Sequence, residues 1–214
     1  MKERPILFNA DMVRALLDVR KTQTRRIVKP QPTVNVDHFR HVTTCRKTGR
    51  MEWQACNREG KPVFAFKKKP CFVSEIAQCP YGQPGDRLWV REAFADGLCT
   101  KSTLACRATH RPSDLDEGWD DPIKWKPSIF MPRSYSRITL EIVSVRVERL
   151  QDISEADAKA EGVIGKEQAA ENGLSWYDKP RRAFRFLWQS INGADSWDAN
   201  PWVWVVEFKR VEAA

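Results

Sequence analysis

The sequence predicts an α+β fold, and three observations carry that expectation. Residues 137–149 alternate apolar and polar side chains as a strand does. Residues 202–208, Trp-Val-Trp-Val-Val-Glu-Phe, are almost continuously apolar, as in a strand covered on both faces. Two other segments, Met12–Leu17 and 181–191, repeat apolar residues at helical spacing. With 214 residues, 42% of them hydrophobic and nine of them tryptophan, the chain holds enough apolar surface for a full core and is no disordered polymer. A single domain spanning 1–214 is expected.

The elements follow in order. Asn9 is the expected N-cap of a short helix whose inner face is Met12, Val13, Leu16 and Leu17. Pro30 and Pro32 end the next segment. Turn signals at Thr48-Gly49 and Glu59-Gly60 separate short runs, Met51–Trp53 and Val63–Phe66, that read as β-hairpins, and the Lys67–Lys69 run closes that unit at Pro70. The cluster Pro80–Asp86 is a strong turn that launches a strand, Arg87–Glu92, with Leu88 and Val90 on one side. Residues 95–136 read as a loop-like excursion with four prolines, and with Trp119 and Trp125 among charges.

In the strand 137–149, Ile138, Leu140 and Ile142 share one phase while Val143, Val145 and Val147 take the other. The switch near Val143-Ser144 predicts a bulge or a corner. Ser154 opens a short helix with Asp157 at the capping-box position and Gly162 as its stop. Glu161 falls at that helix's C-terminus, where a carboxylate meets the negative end of the dipole, and so unfavourable a local choice hints at function. The helix 181–191 carries Phe184, Leu187, Trp188 and Ile191 and stops at Gly193.

Charge narrows the function. The net charge is +8, and all of it lies early: residues 1–50 hold twelve Lys/Arg against four Asp/Glu, whereas the remaining 164 hold 24 of each sign. Basic excess gathered in one segment is the electrostatic footprint of nucleic-acid binding. No apolar run approaches 18 residues and no signal-peptide core follows Met1, so a cytoplasmic protein with no membrane partner is expected. The six cysteines, at 45, 56, 71, 79, 99 and 106, form no Cys-x-x-Cys pair. His38, His41, Cys45 and Cys56 fit no standard zinc spacing, so no metal and no cofactor are expected.

The heptad Arg20-Lys21-Thr22-Gln23-Thr24-Arg25-Arg26 is the most informative stretch, with four cations and three polar side chains in seven residues. So polar a segment is expected outside the core, facing water, a polyanion or a polar pocket. It reads equally as a solvated basic loop and as a functional turn. Lys21, beside three arginines, is a candidate base, since neighbouring cations and burial both lower a lysine pKa.

Four stretches together carry a resemblance: Leu17–Arg26 with its Arg-Lys-Thr-x-Thr turn, the Gly-Asp-x-Leu-x-Val strand of Gly85–Glu92, Ile138–Gly162, and Val203–Lys209. In this order they resemble the ASCH domain, and the whole chain is similar to ASCH proteins of tailed phages and prophages. The resemblance implies a PUA-like β-barrel with short flanking helices, with 30–79 and 95–136 as insertions, in a bacterial host cell. The small ASCH enzymes hydrolyse the amide of N4-acetylcytidine. Residue by residue, their working set falls on Lys21 as base, Thr24 as nucleophile and Glu161 as the group managing the leaving amine's proton. Val19 stands where that family usually has glycine.

Three functions follow as expectations. The first is a nucleic-acid-binding protein, for DNA or RNA, holding a single or flipped base in a pocket of Lys21, Thr22, Thr24 and Glu161. In it Arg20, Arg25 and Arg26 meet phosphates, and Tyr81 or Trp89 stacks on a base. The second is an amidohydrolase acting on an N4-acylated cytidine or a related modified base, in which Lys21→Ala abolishes turnover without unfolding the chain. The third is a ribonuclease, for which no paired metal-binding carboxylates stand out.

Overall fold

In the computed structural model, the structure describes residues 1–45, 50–69, 72–74, 76–97, 104–110, 123–163 and 179–211. Thr48-Gly49, Cys71, Cys99 and Trp119 lie outside them. The described elements are, in chain order, β1 (Glu3–Leu7), α1 (Ala10–Leu17), β2 (Gln23–Ile27), β3 (His38–Thr44), β4 (Met51–Cys56), β5 (Phe66–Lys69), β6 (Phe72–Ser74), β7 (Ile76–Gln78), β8 (Arg87–Arg91), β9 (Phe94–Asp96), β10 (Leu104–Cys106), β11 (Thr139–Arg149), α2 (Glu155–Ala160), α3 (Pro180–Asn192) and β12 (Trp202–Val211). The fold is α+β, mostly sheet with few helices. Among the described residues no helix is long and apolar enough to cross a membrane.

The main sheet has five strands in the order β1-β8-β11-β12-β2. Only the β1–β8 pair is parallel, and β1 is an element that the sequence reading did not identify. A second, antiparallel sheet, β3-β4-β7, comes from the segment 30–79. That segment helps build the main core: Met51, Ala55, Phe66 and Ala77 share one buried cluster with Leu88, Leu140, Trp202 and Trp204. Phe39 packs edge-on against Trp202, with ring centroids 4.8 Å apart. β12 is central and covered on both faces. Trp202, Trp204, Val206 and Phe208 enter the main cluster, while Val203 and Val205 meet Phe184, Trp188 and Trp197 under α3.

The phase switch in β11 is a bulge, with the register to β12 shifting between Ile142 and Ser144. Val143 is turned out and 52% exposed, and this returns Val145 to the core face beside Ile142. Within 95–136 the excursion is less loop-like than expected. β9 and β10 pair, and Phe94, Cys106 and Met131 form a small core of their own.

The helix ends obey local chemistry. Asn9 accepts from the Met12 amide at 2.9 Å and Ser154 from the Asp157 amide at 3.0 Å. After α1 the chain reverses through Val19 at φ 58°, and the Arg20 and Lys21 amides both donate to Ala15 O, at 2.9 and 3.0 Å. This is the position where helices usually carry glycine, because a β-branched side chain is strained there. Val19 is 72% exposed, so nothing is gained by packing it. Val19→Gly should therefore stabilise the protein by about 0.5–1 kcal/mol, the left-handed penalty less the added chain entropy, read as a shift of the urea midpoint.

Candidate functional site

The heptad leaves α1 and runs directly into β2, an edge strand of the main sheet held by β12. The expectation that so polar a segment stays outside the core is corrected. Lys21, Gln23, Thr24 and Arg25 are all buried, at 4% exposure or less. Burial is tolerated because the segment meets the end of α2. The Thr22 amide donates to Ala160 O at 2.8 Å, and Lys21 and Glu161 form an isolated antiparallel bridge.

Lys21 and Glu161 touch directly. The Lys21 ammonium donates to Glu161 Oε2 and to the Glu161 carbonyl, both at 2.8 Å. The Arg25 guanidinium donates to the other carboxylate oxygen at 3.2 Å. The unfavourable carboxylate at the end of α2 is thus explained, since two cations offset the helix dipole. Arg25 also reaches Glu148 at 3.0 Å and Asp157 at 3.2 Å. Arg146 binds Glu148, Asp157 and Glu207 in turn, so three cations and four carboxylates form one network. Its origin is register: Arg146 and Arg25 both stand opposite Val205, one on each side of β12, so carboxylates are needed near both.

Burial pushes the Lys21 pKa down, opposed by Glu161 and aided by Arg26 and Arg25. Its ammonium also stands 5.6 Å from the Phe8 ring centroid, and Arg26 lies 5.3 Å from the same ring. Gly162, expected only as a helix stop, does more. At φ 82°, a Cβ there would come within 2.8 Å of the Cβ atoms of both Ala15 and Lys21. The close approach of α1, Lys21 and α2 depends on this missing side chain.

Thr24 and Glu161 line a cavity of about 470 Å³, whose walls include Tyr81, Trp188 and Trp204 and whose cations are Arg25, Arg26, Lys29 and Arg50. That volume suits a small ligand. A cavity of about 220 Å³ adjoins it, sharing Lys29, Arg50, Gln78 and Trp204. The Thr24 hydroxyl makes no hydrogen bond to the described residues. Among those residues no group of three His, Cys, Asp or Glu is placed to hold a metal.

The other expected residues divide. Tyr81 lines the cavity, but Trp89 does not: its ring carries Arg91 at 4.5 Å and Arg133 at 5.9 Å. Thr22 opens instead on a separate cavity of about 350 Å³, with Gln23, Asp157 and Glu207. Arg25 is engaged by three carboxylates, whereas Arg26 is half-buried at the cavity and donates to Leu7 O at 2.6 Å. Arg20 is tied to Asp18 and to Gly162 O. Sequence reasoning missed Phe8, Glu148 and the cavity role of Trp188 and Trp204. The tryptophans signalled only a core, and nothing in the order of residues sets Glu148 beside Arg25.

No family model, curated protein or solved structure matches the chain.

Proposed function

We propose that the chain is a PUA-like, ASCH-type nucleic-acid-binding protein that receives a single base in the cavity of Thr24 and Glu161. The observation that carries this reading is the composition of that one cavity. It joins a hydroxyl and a carboxylate, able to meet the polar edge of a base, to the aromatic rings of Tyr81 and Trp204 and to the cations Arg26 and Lys29. Arg25 and Lys21 serve as the frame that holds Glu161 in place, and the phosphate contacts fall to Arg20, Arg26 and Lys29. The early charge excess of +8 supports a polymer rather than a free nucleoside.

The test is salt dependence. Affinity for nucleic acid should fall steeply with salt, and Arg26→Ala with Lys29→Ala should lower the slope of log K against log salt by about two. Arg25→Ala should leave that slope unchanged and lower stability instead. An affinity that does not vary between low and physiological salt contradicts the reading.

A second reading, amide hydrolysis, is favoured by the Thr24 hydroxyl, which makes no hydrogen bond to the described residues and lies in the same cavity as Glu161. In it Thr24 Oγ1 attacks the acyl carbon of an N4-acylated cytidine, and Lys21 as a neutral amine takes the hydroxyl proton. The exocyclic amine departs with a proton handled by Glu161, and water then releases the acyl group from Thr24. Incubation with the protein should convert N4-acetylcytidine to cytidine, with Thr24→Ala reducing turnover to background and Thr24→Ser retaining part of it. If the wild-type protein leaves the acetyl group in place, the binding reading stands alone.

A further inference from the structure

An apolar turn is linked to the cavity wall through Arg91, Phe8 and Arg26, and none of its own residues has been used above. Ser128–Phe130 is a single 3-10 turn between Pro127 and Met131. Ile129 is 58% exposed and Phe130 69%, whereas the next residue, Met131, is fully buried in the small core with Phe94. Met131 thus anchors the end of the turn while Ile129 and Phe130 project outward. On its other side the Phe94 and Lys126 backbones bond to each other in both directions, at 3.2 and 2.7 Å.

Its neighbours are cations that lead to the cavity. Arg91 donates to Ile129 O at 3.1 Å. The Phe8 amide donates to Arg91 O at 3.1 Å, and the Phe8 ring lies under Arg26, which lines the cavity. Arg91 and Arg133 both stack on Trp89, but Arg133 is also paired with Glu3 at 2.9 Å, which leaves Arg91 as the guanidinium of the two with no carboxylate partner among the described residues. Leu7, itself 43% exposed, stands opposite Arg91 in the β1–β8 register.

A pair of exposed apolar side chains calls for a partner, and the Arg91 guanidinium bonded to the turn favours an anionic one. One ligand offers both chemistries at neighbouring points: a duplex, with charged phosphates outside and apolar base faces exposed where one base has left the stack. We propose that Ile129 and Phe130 form a wedge that enters duplex DNA and fills the gap left by the base taken into the Thr24–Glu161 cavity. The inference rests on the base-binding reading. Apolar wedges between base steps offset the cost of unstacking, and the B-form minor groove admits them, whereas A-form RNA is met mostly at single-stranded sites.

The experiment uses a DNA duplex with one mismatched 2-aminopurine, the matching single strand, and the equivalent RNA duplex. The wild-type protein should bind the DNA duplex and raise its fluorescence several-fold. Ile129→Ala with Phe130→Ala should bind the single strand as the wild type does, but lose about tenfold in duplex affinity and most of the fluorescence rise. Both side chains are exposed, so the variant keeps its circular dichroism spectrum. If the variant retains the fluorescence rise, the wedge is wrong and the cavity reading survives. Equal losses on single strand and duplex would mark a general contact and overturn the wedge, as would a change in the variant's oligomeric state on sizing. An equal or larger effect on the RNA duplex overturns the DNA assignment. If the wild type binds none of the three, both readings fall together.

Discussion

Glu161→Gln lowers the unfolding free energy by about 3–5 kcal/mol, the usual cost of removing one partner from a buried ion pair. The Lys21 side chain has no exposed surface and that of Glu161 only 3%, so water cannot take the carboxylate's place. Arg25 retains Glu148 and Asp157, and the loss therefore falls mainly on Lys21, whose buried charge keeps only neutral oxygen acceptors. Adding Lys21→Met should recover much of the stability, because a buried pair replaced by neutral side chains of similar size is often close to neutral. Urea unfolding of the two single variants and the double variant checks this. A double variant no more stable than Glu161→Gln would place the loss elsewhere. Lys21→Ala, expected from the sequence to leave the chain folded, should likewise lower its stability, since Lys21 is interior and Glu161 depends on it.

This pair also sets a pH dependence. Burial lowers the Lys21 pKa below its ordinary 10.5, so in the window between the two values the unfolded chain binds more protons than the folded one. Stability should then rise with pH across that window, and Lys21→Met should abolish the rise.

Gly162→Ala should destabilise by about 2–5 kcal/mol, combining the left-handed penalty of about 1–2 with about 1–3 for overpacking. Both apply because φ is 82° and the new methyl would meet two Cβ atoms at 2.8 Å. Gly60→Ala is the control, at φ 76° with nothing within 4 Å, and should show the conformational penalty alone. Equal losses at the two positions would deny the crowding. The Gly162 variant should also weaken ligand binding, because the methyl forces Lys21 and the end of α2 apart.

Local signals in the sequence identified the helix caps at Asn9 and Ser154, the bulge at Val143 and the double-sided burial of β12, because each follows from residues close in the chain. Residue by residue, Lys21 stands out by its charged neighbours and Glu161 by its conflict with a helix dipole, and only the family resemblance sets the two in one pocket. Their contact depends on Gly162 and on the left-handed turn at Val19, which no periodicity reveals. Burial of Arg25 was not legible for a different reason. It follows from strand register, which sets Arg25 and Arg146 on either side of Val205, and from Glu148 and Asp157 arriving more than a hundred residues later. The strand β1 escaped notice because Glu3-Arg4-Pro5 masks its alternation and its parallel partner, β8, lies far along the chain.

The pairing of β2 with β12 imposes an order on biosynthesis. Gln31 bonds to Trp202 across 171 residues, and among the described residues the whole of β2 pairs with that last strand alone. While the ribosome is still making the middle of the chain, the Thr24–Ile27 backbone and the four cations around it have emerged without their partners. Closure across so long a loop is slow, and an unpaired strand edge invites association with other chains. In the nascent chain the positive charge of Arg20–Arg26 opposes that association by repulsion between copies. The residues that later frame the cavity would thus first act as the guard of an unfinished edge.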